Sequence, residues 1–179
     1  MFKIMQIYNI KIKNSIIYYL ENIHNKIKTV PLILFICFSL IYTLCVPYIL
    51  VHILDAIGLE DNSFEESYLS KLPLYRRLLI TGLIAPLIET FLFQYLIINI
   101  LQKIKILQKL PLAIIIISAC LFASTHIYSL RYILVSFLVG FYYAYAYIIK
   151  QHEKFPIFWL IAIIHSLHNL VATLILTSE

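Results

Sequence analysis

The sequence predicts an all-α integral membrane protein, a bundle of about five transmembrane helices preceded by a basic interfacial segment. Three observations carry this. The 179-residue chain is 62% hydrophobic and only 13% charged, with a mean hydropathy of +0.91, whereas soluble domains carry about 25% charged residues. Four runs, residues 29–54, 110–130, 132–149 and 155–178, contain no Asp, Glu, Lys or Arg. A fifth run, 78–101, contains a single formal charge, Glu89, at its centre. A bilayer core of about 30 Å requires about 20 helical residues. Each run therefore reaches across, the shortest one (132–149) with Arg131 and Lys150 snorkelling to the interfaces.

Taken in order, residues 1–28 mix Ile and Tyr irregularly with Lys3, Lys11, Lys13, Lys26 and Lys28 and are expected to lie on the membrane surface. No small-residue cleavage site follows the first apolar run, so a signal peptide is a poor fit. The transmembrane domain is expected over 29–179. Alternating sides puts those five lysines with Lys103, Lys105, Lys109, Lys150 and Lys154, and opposes them to Lys71, Arg76, Arg77 and Arg131. By the positive-inside rule the N-terminus is cytoplasmic, and the C-terminus and the acidic loop with Asp55, Glu60, Asp61, Glu65 and Glu66 are outside. That loop, about 55–77, is the longest connection, punctuated by Gly58 and Pro73.

In the second span Pro86 lacks an N–H, which frees the carbonyl of Gly82 and bends the helix just before Glu89. In the fourth, Ser136, Gly140 and Ala144 form a small-residue stripe for close helix approach. Tyr142, Tyr143, Tyr145 and Tyr147, with Trp159 on the last helix, are expected as an interfacial belt. Cys37, Cys45 and Cys120 have no metal or redox spacing and read as apolar fillers. The net charge of +5 is scattered between apolar runs without aromatic platforms, which argues against a nucleic-acid partner. The expected partners are the lipid bilayer and a peptide or membrane-protein substrate.

Hydrocarbon makes a buried polar side chain conspicuous, because a carboxylate at mid-membrane costs about 2.5–3.5 kcal/mol on insertion scales. The candidates are Glu89, Gln94, His126, His165, His168 and Asn169. His165 and Asn169 stand at i and i+4 on one helix face, about 6 Å apart along the axis, while His168 points roughly 60° away from that face and reads as packing or support. A carboxylate and an imidazole can deprotonate water, and an imidazole N–H and an amide NH₂ can hold a developing oxyanion. Together they form a kit for amide hydrolysis without a covalent nucleophile. G-x-S-x-G is absent, so a serine protease does not fit. Glu89, His126 and His165 are also a legitimate zinc set, with His168 in reserve. H-E-x-x-H is missing, and the cofactor-free reading is preferred with zinc left open.

Three motifs then resemble, in order, those of the CAAX protease and bacteriocin-processing family of glutamic intramembrane endopeptidases, also called the type II CAAX prenyl endopeptidase-like or ABI family. The family's E-E-x-x-x-R stands here as E-T-F-L-F-Q (89–94), its F-x-x-x-H as F-A-S-T-H (122–126) and its H-x-x-x-N as H-S-L-H-N (165–169). The similarity covers about residues 82–171. It implies that Glu89 and His126 activate water and that His165 and Asn169 stabilise the oxyanion. Thr90, Gln94 and Phe122 fall at supporting positions. Two positions depart: the second glutamate is Thr90 and the arginine is Gln94. Replacing both partners of a buried ion pair strands neither charge, and Thr90 and Gln94 can still hydrogen-bond.

The resemblance implies an intramembrane endopeptidase in a prokaryotic plasma membrane, acting on leader, signalling or bacteriocin peptides, or on prenylated C-a-a-X proteins. The alternative is a non-catalytic immunity or partner-binding membrane protein that keeps the polar cluster for packing or recognition. A transporter using Glu89 fits less well, since inverted repeats and paired broken helices are not seen.

Overall fold

The structure, a computed structural model, describes residues 25–59 and 69–176. Most of the basic segment expected over 1–28, and the acidic residues Glu60 to Glu66 of the long loop, lie outside the described residues. Among the described residues every regular element is helical. Contacts divide the chain into two units, Met1–Phe35 and Ile36–Glu179. In the first, the Thr29 hydroxyl donates to the Lys26 carbonyl at 2.9 Å, and Phe35 N–H donates to the Pro31 carbonyl at the start of helix α1 (Leu32–Ala56).

The second unit holds the rest of α1 and four further helices: α2 (Leu74–Leu101), α3 (Pro111–Ala123), α4 (Leu130–Lys150) and α5 (Ile157–Leu176). Among the described residues α1, α2, α4 and α5 are long and apolar enough to cross a membrane. Phe38, Ile41, Ile49 and Ile53 of α1 and Leu83, Ile88 and Leu92 of α2 are exposed, a surface that water would penalise and lipid tails solvate. The protein is therefore an integral membrane protein with an all-helical bundle.

The third helix stops early. Its 13 residues span about 20 Å, whereas the apolar run continues to Leu130. The cause is local: the Phe122 carbonyl accepts from the Thr125 N–H (3.2 Å), the Thr125 hydroxyl (2.7 Å) and His126 Nδ1 (2.9 Å), and the Ser124 hydroxyl donates to Leu121 O (2.8 Å). Side chains take the carbonyls that continued helix would use. His126 consequently sits in a turn rather than inside a helix.

The other ends follow from sequence more directly. Gly58, at φ +81°, lets Leu59 N–H reach Leu54 O and Gly58 N–H reach Asp55 O, a Schellman close to α1. Pro111 occupies the first turn of α3, where its missing N–H is harmless. The Ser129 hydroxyl caps α4 by accepting from Tyr132 N–H at 3.0 Å. Asp55 at the end of α1 is ion-paired with Arg131 at the start of α4.

Inside the unit, α3 packs along α4, and α5 packs on α2 and α4. The small-residue stripe is the contact face: Ser136, Gly140 and Ala144 are buried. A Cβ at Gly140 would lie 2.6 Å from Phe122 Cδ1, so only glycine admits the Phe122 ring. The expected tyrosine belt is corrected here. Tyr143 and Tyr147 are buried inside the bundle, Tyr147 accepting from Asn99 Nδ2 at 2.7 Å, while Tyr142 stacks on Tyr42 and shares a 2.7 Å hydrogen bond with Ser39. Tyrosine serves an interface and a hydrogen-bonded core equally well, and helix rotation decided between them.

Candidate active site

Helix α2 reaches the site in an unusual register. Ile80–Ile84 and Thr90–Ile97 are π-type, flanking the α-helical turn Ala85–Glu89. Ala85 N–H donates to Ile80 O, five residues back. Continuing that register would bring the N–H of residue 86 to Thr81 O, but residue 86 is proline. That register leaves the Thr81 carbonyl without a helical donor, one residue before the Gly82 carbonyl that the ordinary i−4 spacing frees. Asn169 Nδ2 donates to Thr81 O at 2.9 Å, and the Thr81 and Thr173 hydroxyls share a bond of the same length. Proline thus creates an acceptor on α2, and α5 supplies the donor that fastens the two helices. π-bulges of this kind concentrate at functional sites.

Beyond Pro86, two consecutive residues of α2 bracket one imidazole. Glu89 Oε2 lies 3.5 Å from His165 Nε2, and Thr90 Oγ1 lies 3.3 Å from His165 Nδ1. The first separation is longer than a well-formed hydrogen bond. With Glu89 ionised and accepting, Nε2 would carry the proton and Nδ1 would accept from the Thr90 hydroxyl. His165 is 2% exposed and Thr90 is fully buried. The ring is further fixed by Tyr143, with centroids 4.6 Å apart, and by the edge of Phe122 at 5.8 Å.

His126 approaches from the turn after α3. Its ring lies 4.6 Å from that of Phe122 and 5.5 Å from that of Tyr132. Because Nδ1 donates to the Phe122 carbonyl, the neutral ring presents Nε2 as an acceptor. Of the four residues expected to act together, Glu89 and His165 meet directly. His126 joins them across the Phe122 ring, and Asn169 follows His165 by one helical turn with one amide hydrogen on Thr81 O. Among the described residues no group of three His, Cys, Asp or Glu side chains is placed to hold a metal ion.

Thr90 and Gln94 do not pair with each other. Thr90 turns to His165, and both amide atoms of the fully buried Gln94 lack a partner. A buried amide without partners destabilises by about 1–3 kcal/mol, and an apolar side chain of like shape removes that penalty. Gln94→Met is therefore expected to raise the thermal unfolding midpoint in detergent; a lowered midpoint would show that the amide is satisfied.

Tyr143, expected at the interface, is buried against His165, and the signal for this was present. It stands seven residues after Ser136 and next to Ala144, on the small-residue face that must point inward. An apolar cleft of about 290 Å³ lies between α2 and α5, lined among others by Leu83, Leu87, Trp159, Ile163 and Leu167 and by none of the residues that meet at His165.

A carboxylate, imidazoles and an amide thus lie near one another at the apolar helices and the turn after α3. Residues 71–171 match the family described as Type II CAAX prenyl endopeptidase Rce1-like. The chain belongs to this family, and at that level it is an intramembrane CAAX-type protease. No curated protein and no solved structure matches the chain.

Proposed function

We propose that the protein hydrolyses a peptide bond in a peptide or membrane-associated protein, using water activated by Glu89 and His126 and an oxyanion site made by His165 and Asn169. The observation that supports this most is the 3.5 Å approach of Glu89 to a buried His165 inside membrane-embedded helices. Glu89 takes a proton from water while His126 Nε2 accepts the other water hydrogen. The hydroxide adds to the scissile carbonyl, whose oxygen accepts from His165 Nε2–H and from the second amide hydrogen of Asn169. Collapse of the intermediate returns the proton from Glu89 to the leaving amine. The mechanism uses no metal.

The test is reconstituted full-length protein in liposomes with an internally quenched peptide ending in C-a-a-X, farnesylated or bare, and mass spectrometry of the new termini. Cleavage at one internal bond, undiminished by EDTA, is the expected result; activity lost to EDTA and restored by zinc would overturn the metal-free mechanism. Thr90 and Gln94, which replace the family's charged pair, favour one rival reading, a membrane immunity or partner-binding protein. A protective or binding phenotype that persists in Glu89→Gln would support it instead.

A further inference from the structure

Tyr143 is the largest side chain that the proposed hydrolysis leaves unused, and it lies within the site. It is 0% exposed, its ring lies tilted 38° against that of His165, and its edge contacts Phe122 at 6.4 Å between centroids. Yet the hydroxyl oxygen is buried with no hydrogen-bond partner. Tyr147, one turn along α4, shows what a structural tyrosine looks like here: it is equally enclosed, and its hydroxyl is satisfied by Asn99.

Three features place Tyr143 where it is. The stripe of Ser136, Gly140 and Ala144 turns this face of α4 inward. Gly140 admits Phe122. Phe122 and His165, whose ring centroids are 5.8 Å apart, both lie against Tyr143. Phenylalanine would fill the same space without burying an orphaned hydroxyl, which a folded chain avoids unless the group meets a partner at another moment. A neutral phenol is a donor suited to an oxygen that becomes negative, and it needs no change of its own charge to act.

Resting on the hydrolytic reading above, we propose that Tyr143 is a further catalytic residue, its hydroxyl donating a hydrogen bond to the oxyanion of the tetrahedral intermediate beside His165 Nε2–H. The bond forms only as charge develops, so it lowers the barrier without tightening substrate binding. The hydroxyl stays protonated throughout, and no covalent bond to Tyr143 is made or broken.

The test compares wild type, Tyr143→Phe, Tyr147→Phe and Glu89→Gln, each reconstituted at full length, with the farnesylated quenched peptide as probe. Tyr143→Phe is expected to lower kcat by about 10²–10³ with KM little changed and to melt at or above the wild-type temperature. Tyr147→Phe, which removes one of the two acceptors of Asn99 Nδ2, is expected to melt lower yet keep wild-type kcat per folded molecule. Full turnover by Tyr143→Phe beside an inert Glu89→Gln overturns the role of Tyr143 and leaves the hydrolytic reading standing. A melting point for Tyr143→Phe well below wild type overturns it too, since the hydroxyl would then have a structural partner. Cleavage by none of the four proteins overturns the hydrolytic reading and this inference with it.

Discussion

Glu89→Gln is expected to reduce peptide cleavage by about 10²–10⁴, the range that a positioned general base contributes, while leaving expression, membrane insertion and unfolding temperature close to wild type. Glutamine keeps the length and both hydrogen-bonding atoms of the side chain but cannot take a proton from water. The neighbours are insensitive to the exchange in structural terms. His165 Nδ1 stays on Thr90 Oγ1, its ring stays against Tyr143 and Phe122, and the Asn169 bond to Thr81 O belongs to a different turn. Removing a charge from a half-buried position in a membrane helix even favours insertion. The expected result is therefore a well-folded, inactive protein. Comparing termini in membrane and culture fractions of cells expressing either form at matched abundance extends the test to natural substrates. A Glu89→Gln protein that cleaves as fast as wild type would eliminate water activation by this carboxylate.

The second large effect is steric. A Cβ built on Gly82 would stand 2.3 Å from Leu170 Cδ2 and 2.7 Å from Leu170 Cγ. Because the branch carbon itself is too close, turning the tip of Leu170 does not clear the clash. Gly82→Val is expected to push α5 off α2 and destabilise the protein by about 1–3 kcal/mol, the usual range for overpacking. Leu170 adjoins Asn169, and the displaced helix also carries His165. The bonds of Asn169 and Thr173 to Thr81 and the 3.5 Å approach of His165 to Glu89 should lengthen together. Turnover falls with stability in this variant, in contrast to Glu89→Gln, where only turnover falls. Circular dichroism melts and cleavage rates on the same preparations separate the two. An unchanged melting point for Gly82→Val would mean that α2 and α5 are free to move apart and that glycine is not needed for their contact.

Much of this was legible in the one-dimensional pattern. Runs without charge predict membrane helices because hydrocarbon admits few charges. The same exclusion makes Glu89, His165 and Asn169 stand out, since each would be unremarked in a soluble protein. The spacing of Ser136, Gly140 and Ala144 identifies the packed face of α4. Other features were not legible there. The end of α3 depends on whether Ser124, Thr125 and His126 turn back to the preceding carbonyls, a local competition that apolar counting does not register. The π register before Pro86 frees the Thr81 carbonyl, and Asn169 ties α5 at that point.

By itself, then, the sequence determined the solvent, the class of fold and which side chains are costly enough in lipid to need a shared pocket, because transfer free energy depends on residue type and run length alone. Tertiary structure decided which of those side chains touch. Glu89 meets His165, Thr90 orients the imidazole, Gln94 is left without partners, and Tyr143 leaves the interface for the core. Those outcomes depend on the rotation of each helix about its axis and on the approach that Gly82 and Gly140 permit, quantities set by packing between segments distant in the chain.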